Sequence, residues 1–399
     1  MRAPFGSRVS ITINSIEEHI IPASDAALSR HPLVAHSTAS SRLVRALRGD
    51  RPDITPVWFM RQAGRSLPEY RALRSRGTMI EACLDPALAS EITMQPVRRH
   101  GVDAAIFFSD IVIPLALIGL EVEIVAGRGP VFSHPLRTAA DIAAAVEIDP
   151  ALVRERGEAV VDAVGRTTAM LAEESEARGE PLPLIGFAGA PFTLAAYLVE
   201  GGPSKDHLAA RRLIHDDPAA WRDLTMWLAE VTGQFLALQV EAGASAAQLF
   251  DSWAGALAPD DYRRAVRPAS ERALRAVREV ALPAEAGIER VPLIHFGVGT
   301  GELLADMSAL DIDAIGVDYR VPLDEARRRI ERDLTVQGNL DPALLFAPEP
   351  VRTAAVRRVL EQGAAARAHV FNLGHGVPMD ADPDAIGAVV RTVHEWRMP

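Results

Sequence analysis

Cysteine is nearly absent: the 399-residue chain has one, Cys83. A single thiol makes no internal disulfide and no cysteine-rich zinc site. Cys83 is therefore expected as a small, half-buried apolar residue in a reducing compartment. Long apolar runs are missing as well. None approaches the roughly 18 residues of a membrane-spanning helix, and the N-terminus shows no apolar leader core with a cleavage pattern. A cytoplasmic protein without a membrane partner is the expectation. Basic charge is in short supply: 42 Lys and Arg face 53 Asp and Glu, a net charge of −11. That balance argues against nucleic acid as a partner, which requires a basic face, but leaves room for a local basic pocket. Aromatic residues are few, at 5%, yet 48% of the chain is apolar, enough for a large core.

Residues 1–40 are rich in Ser, Ala, Pro and His without sustained periodicity and are expected as a flexible extension, with His19, His31 and His36 solvated. From Ser41 the pattern changes. Ser41 is placed to cap a helix through Leu43, Val44 and Leu47 that ends at Gly49. Eight short apolar runs follow: Pro56–Met60, Ala104–Phe108, Leu184–Phe187, Ala246–Phe250, Pro292–Phe296, Ala314–Val317, Thr335–Gln337 and His369–Leu373. They lack alternation, as fully buried parallel strands do. Between them lie helical stretches. Trp221–Val240 carries Leu224, Trp227, Leu228, Val231, Phe235 and Leu238 on one face, while Asp324–Asp333 and Val351–Gln362 are arginine-rich and expected on the outside. Eightfold strand–helix alternation predicts an α/β fold, a single (β/α)8 TIM barrel over residues 41–399, with a doubly wound sheet as the alternative.

Barrel chemistry sits on the loops that follow the strands. After the first run come Arg61, Gln62, Gly64 and Arg65; two guanidiniums four residues apart form an anion clamp or, alternatively, a surface turn paired with Glu69. The second run ends at Asp110, a carboxylate placed either to cap the next helix or to do chemistry. The third leads through FAGAPFT to Tyr197, and the fourth to Asp251-Ser252-Trp253, where Ser252 lacks the frame of a nucleophile elbow. Gly297-Val298-Gly299-Thr300-Gly301, with Asp318 at the end of the next run, imitates a dinucleotide fingerprint with the wrong spacing and could form an anion-binding nest. The last run leads to His375 between two glycines, an accessible imidazole that could titrate near neutrality or orient an anion.

WFMRQAGRSLPEYR, FFSDI, GFAGAPFTLAAYLVEGG, LFDSWAG, QGNLDP and FNLGHG, in that order, resemble the uroporphyrinogen decarboxylase family from about Arg51 to Asp384. The chain departs from the family pattern at Phe192 and Tyr319, where Trp is usual, and at Leu115, where a second acid is usual. The resemblance implies a TIM-barrel homodimer that uses neither cofactor nor metal. It implies conversion of the four acetate arms of uroporphyrinogen III to methyls, giving coproporphyrinogen III and CO2 in heme biosynthesis. It places Arg61, Gln62, Arg65, Asp110, Tyr197, Ser252 and His375 in the substrate cleft, with Asp110, Arg61, Tyr197 and His375 catalytic. Such a substrate is a polyanion around four inward-facing pyrrole N–H groups. It calls for cations at the rim, Arg61 and Arg65, and one central anion, Asp110. That anion would also stabilise the cation formed when a pyrrole carbon is protonated. Three other classes stay open on the sequence: a related barrel methyltransferase with a His/Cys zinc site, a non-catalytic tetrapyrrole binder, and a nucleotide-dependent enzyme using the Gly297–Gly301 turn.

Overall fold

The computed structural model describes residues 28, 30–35, 38–74, 77–282 and 287–397. Seven parallel strands follow one another in chain order around a curled sheet: β1 (Ala105–Ile106), β4 (Leu184–Gly189), β5 (Ala246–Asp251), β6 (Leu293–Gly297), β7 (Ala314–Gly316), β8 (Thr335–Gln337) and β9 (His369–Val370). The order never reverses, so the doubly wound alternative, which needs a switch point, is excluded. A separate antiparallel hairpin, β2 (Val122–Val125) and β3 (Gly129–Phe132), projects from the loop after β1.

The eighth position belongs to the Pro56–Met60 run, which is not a strand of its own. Val57 makes a single parallel bridge to Phe371. On one side, Phe371 N–H donates to the Pro56 carbonyl at 2.8 Å and Trp58 N–H to the Phe371 carbonyl at 3.3 Å. On the other, Asp103 N–H donates to the Val57 carbonyl at 2.8 Å. The segment thus closes the ring between its first and last strands. A buried relay holds it from inside. Trp58 Nε1–H donates to Gln337 Oε1 at 3.1 Å, and Gln337 Nε2–H donates to Gln248 Oε1 at 2.8 Å. Around them pack Trp58, Met60, Ile106, Ile185, Phe187, Ile294, Phe296 and Val370, the filling of the barrel.

Asp103 pins the seam. Its Oδ2 accepts the Val57 N–H at 2.7 Å and a contact from His394 Nε2 at 2.8 Å, and its Oδ1 takes Arg42 at 3.1 Å. The helix Arg42–Leu47, capped by the Ser41 hydroxyl as its sequence foretells, and the final helix Pro383–Glu395 therefore meet at one carboxylate. The helix expected over Trp221–Val240 runs from Pro218 to Glu241, with Asp217 accepting the Ala220 N–H. The outer helix expected to Asp333 stops at Arg329, because Ile330 turns extended and buries its side chain.

Three expectations need correction. His31 is not solvated: it is buried, its Nε2–H donates to the Val240 carbonyl at 2.9 Å, and burial lowers its pKa to about 4. Leu33 and Thr38 are buried too, so packing on the barrel begins upstream of residue 41. His19 and His36 lie outside the described residues. Cys83 is fully rather than half buried.

Candidate active site

The loop after Met60 is locked before it reaches the cleft. Gln62 is 1% exposed; its Oε1 accepts the Phe59 N–H at 3.0 Å and its Nε2–H donates to the Ala104 carbonyl at 3.1 Å. The Gln62 amide thus ties the loop to backbone on both sides. Asn372 Oδ1 accepts the Met60 N–H, and Val377 N–H donates to the Met60 carbonyl. Between these anchors Arg61 stands at φ 58°, a conformation that non-glycine residues hold only when their surroundings impose it.

Arg61 and Arg65 are both exposed, and among the described residues neither has a carboxylate within ion-pair distance. The surface-turn alternative fails, because Glu69 faces Arg99 at 3.6 Å instead.

Asp110 follows the β1 run and is half-buried. Its Oδ1 accepts the Val112 N–H at 3.1 Å, an Asx turn that fixes the carboxyl but leaves the helix Ile113–Leu117 without a side-chain cap. Burial raises the Asp110 pKa above its ordinary value; backbone N–H groups and the Arg61 charge offset part of that. Tyr197 lies on the helix Pro191–Glu200, 8% exposed. Burial first, then the Asp110 charge, pushes its phenol up to about 12, with Arg61 opposing. Arg61, Asp110 and Tyr197 therefore act on one another electrostatically.

His375 joins them. Burial, then Arg61, then Arg320 hold its pKa below the usual value, with Asp318 opposing. The imidazole therefore favours its neutral form more than an ordinary histidine does. The Gly376 N–H donates to Nδ1 at 2.8 Å, leaving the ring proton on Nε2. Its two flanking glycines have a geometric cause. A Cβ on Gly376 would lie 2.6 Å from Arg61 Cδ, and one on Gly374 would lie 2.1 Å from the backbone nitrogen of Tyr319. The turn is sandwiched between two loops, and each glycine admits one of them.

Ser252, half-buried, leaves the end of β5 beside Trp253, whose ring lies 5.7 Å from that of Tyr197 and 4.7 Å from that of His207. The neighbouring Asp251 is spent on partners within this chain. Fully buried, it accepts the Thr193 hydroxyl at 3.1 Å and faces His295 at 3.8 Å. The Gly297–Gly301 turn does bind a carboxylate, but one of this chain: Asp318 accepts the Gly299 N–H. An incoming phosphate would find that nest filled, and the nucleotide-dependent class loses its support. Among the described residues no three His, Cys, Asp or Glu side chains cluster as metal ligands, and the Cys83 thiol is pushed up by burial and by Asp110. The donor set of a zinc methyltransferase is therefore not assembled. Of the departures, Phe192 is fully buried against Trp221 and Leu115 is fully buried, whereas Tyr319 is exposed and seated against Gly374. Arg320 and Trp253 escaped sequence reasoning as site residues; the position of Arg320 two residues past the acid closing the β7 run was the available signal.

The sequence profile of the uroporphyrinogen decarboxylase (URO-D) family matches residues 38–396. The chain belongs to the uroporphyrinogen decarboxylase family. Two relatives named uroporphyrinogen decarboxylase are those of Leifsonia xyli subsp. xyli, 58% identical over 92% of this chain and 97% of its own, and Streptomyces griseus subsp. griseus, 53% identical over 91% and 93%. The activity carried by that family is a carboxy-lyase decarboxylation. A solved methyltransferase from Methanosarcina mazei superposes with a TM-score of 0.71 over 89% of this chain and 97% of its own; at 18% identity it shares the fold alone.

Proposed function

We propose that one barrel domain, residues 41–399, converts the four acetate side chains of uroporphyrinogen III to methyls, giving coproporphyrinogen III and CO2. The observation that supports this most is that Arg61 lies within electrostatic reach of Asp110, Tyr197 and His375, with Gly376 seated against its side chain.

Each acetate consumes one proton and releases one CO2. Protonation of a pyrrole carbon makes an iminium-like cation. The bond to the carboxylate then breaks, and its electron pair neutralises that cation as an exocyclic methylene. Protonation of the methylene and loss of the ring proton give the methyl group. Asp110 accepts the converging pyrrole N–H bonds and stabilises the cation. Its carboxylate is held at a desolvation cost in the free protein, so the cationic intermediate gains most from it. Arg61, Arg65 and Ser252 hold peripheral carboxylates. Tyr197 and His375 keep their protons at neutral pH and act as hydrogen-bond donors through the phenol and Nε2. The proton enters beside Arg61, relayed by a substrate carboxyl group that its guanidinium holds, because a guanidinium with a pKa above about 12 is a poor acid by itself.

A cytoplasmic homodimer, needing neither metal nor cofactor, completes the proposal; light scattering of the purified protein tests the dimer. Among the described residues no helix is long and apolar enough to cross a membrane. The deciding experiment supplies uroporphyrinogen under reducing conditions and separates the oxidised porphyrins by chromatography. Four-carboxylate product is expected; folded protein that forms none overturns the assignment.

A further inference from the structure

The loop after β7 is tied at every point around Arg320. Asp318, 3% exposed, accepts the Gly299 N–H, the Arg320 backbone N–H at 2.9 Å and the Arg320 Nη1–H at 2.7 Å. Asn339 Nδ2 donates to the Asp318 carbonyl at 2.7 Å and to the Val321 carbonyl at 2.6 Å, one on each side of Arg320. The guanidinium carbon lies 4.5 Å over the Tyr319 ring. The Tyr319 backbone in turn seats against Gly374, next to His375. Two contacts therefore set the direction of a guanidinium whose side chain remains 50% exposed. Of its five N–H donors, one is committed to Asp318.

We propose that Arg320 is a third carboxylate-binding guanidinium of the cleft, gripping a peripheral carboxylate of the polyanionic tetrapyrrole on the side of His375 opposite Arg61. This rests on the reaction proposed above. A purely structural ion pair accounts for the geometry less well. The Asp318 carboxylate already has two backbone N–H donors, and a pair whose arginine is half exposed adds at most about 1 kcal/mol. The charged groups facing His375 are Arg61, Arg320 and Asp318, so Arg320 is near enough to help hold the imidazole neutral.

Arg320→Ala and Arg320→Lys test the assignment with two readouts. In steady-state turnover of uroporphyrinogen, Arg320→Ala raises KM about tenfold, the loss of one charge-assisted contact, while kcat stays within about twofold. Arg320→Lys falls between, because an ammonium lacks the planar fork; it also keeps the charge should the alanine variant misfold. In the substrate-free protein, the His375 ring resonance titrates at higher pH in Arg320→Ala than in wild type, a change that needs no substrate. Unchanged KM in both variants, or a loss confined to kcat, overturns the proposal while wild-type turnover preserves the reaction. Wild type that fails to consume uroporphyrinogen removes the reaction and this inference with it.

Discussion

Asp110 carries opposite obligations to folding and to chemistry. Its carboxylate is desolvated, its pKa raised, and Arg61 offsets only part of that. A neutral isostere relieves the burden. Asp110→Asn is expected to raise the thermal midpoint by about 1–2 °C, as relief of a strained active site does. The same change lowers kcat by at least about 100-fold through loss of the central anion. Calorimetry and the porphyrin assay on one preparation check both signs; an asparagine variant that is less stable contradicts the assigned desolvation. The raised carboxyl also moves the acid limb of kcat/KM. Activity needs the carboxylate, so it falls with decreasing pH from a higher pH than an exposed aspartate would set. Any limb that His375 contributes lies at lower pH than that of an ordinary imidazole, because its own pKa is lowered. In a profile measured from pH 4 to 8, the limb set by Asp110 is the one that Asp110→Asn abolishes.

At the level of elements, the loops following the strands are where substitution by a single methyl group separates roles. Gly374→Ala places a Cβ 2.1 Å from backbone that three hydrogen-bonded neighbours hold, so the loop around Tyr319 must shift. About 1–3 kcal/mol of stability is lost, read as a lower urea midpoint. Gly376→Ala meets the Cδ, Cγ and Cβ of Arg61 instead, so the stem of that arginine must shift. Here the fold survives while kcat/KM for uroporphyrinogen falls about tenfold or more. Seven of the eight expected strands were legible because each is a short buried apolar run, most of them ending in a glycine or a reactive polar residue. Pro56–Met60 reads the same way but pairs at one bridge, since Asp103, Gln337 and Phe371 hold it from three directions. Arg61, Asp110, Tyr197 and His375 could be named because they stand at strand ends or in distinctive strings. That Gln62 spends its amide on backbone, that Asp318 fills the glycine nest and that Arg320 stands beside His375 all depend on contacts between loops far apart in sequence. No local pattern encodes these.

For the molecule as a whole, buried neutral imidazoles set the acid stability. His31, His100 and His369 each have a pKa lowered to about 4, burial being the first cause. In the unfolded chain they protonate near the ordinary value of about 6.5. Their stabilising contribution is whole above that pH, diminishes as pH falls through it, and is gone near pH 4. The raised Asp110 works in the other direction, but as one group against three. Thermal unfolding is therefore expected to move to lower temperature from pH 7 to pH 4.5, and His31→Gln to flatten that slope. A slope unaltered by the substitution rules out His31 as a contributor. The net charge of −11 does not oppose a polyanionic substrate. At physiological salt, charges more than about 8 Å apart are largely screened, and the cleft guanidiniums dominate locally.

Asp103 gives the barrel a temporal order. The segment it grips at Val57 is translated well before its partners: the strand on that segment's other side is near residue 371, and the histidine completing the grip is residue 394. A nascent chain still on the ribosome has the beginning of its ring but not the end. The earliest piece of the cylinder is thus the last to gain both neighbours, and closure waits until residue 394 has emerged.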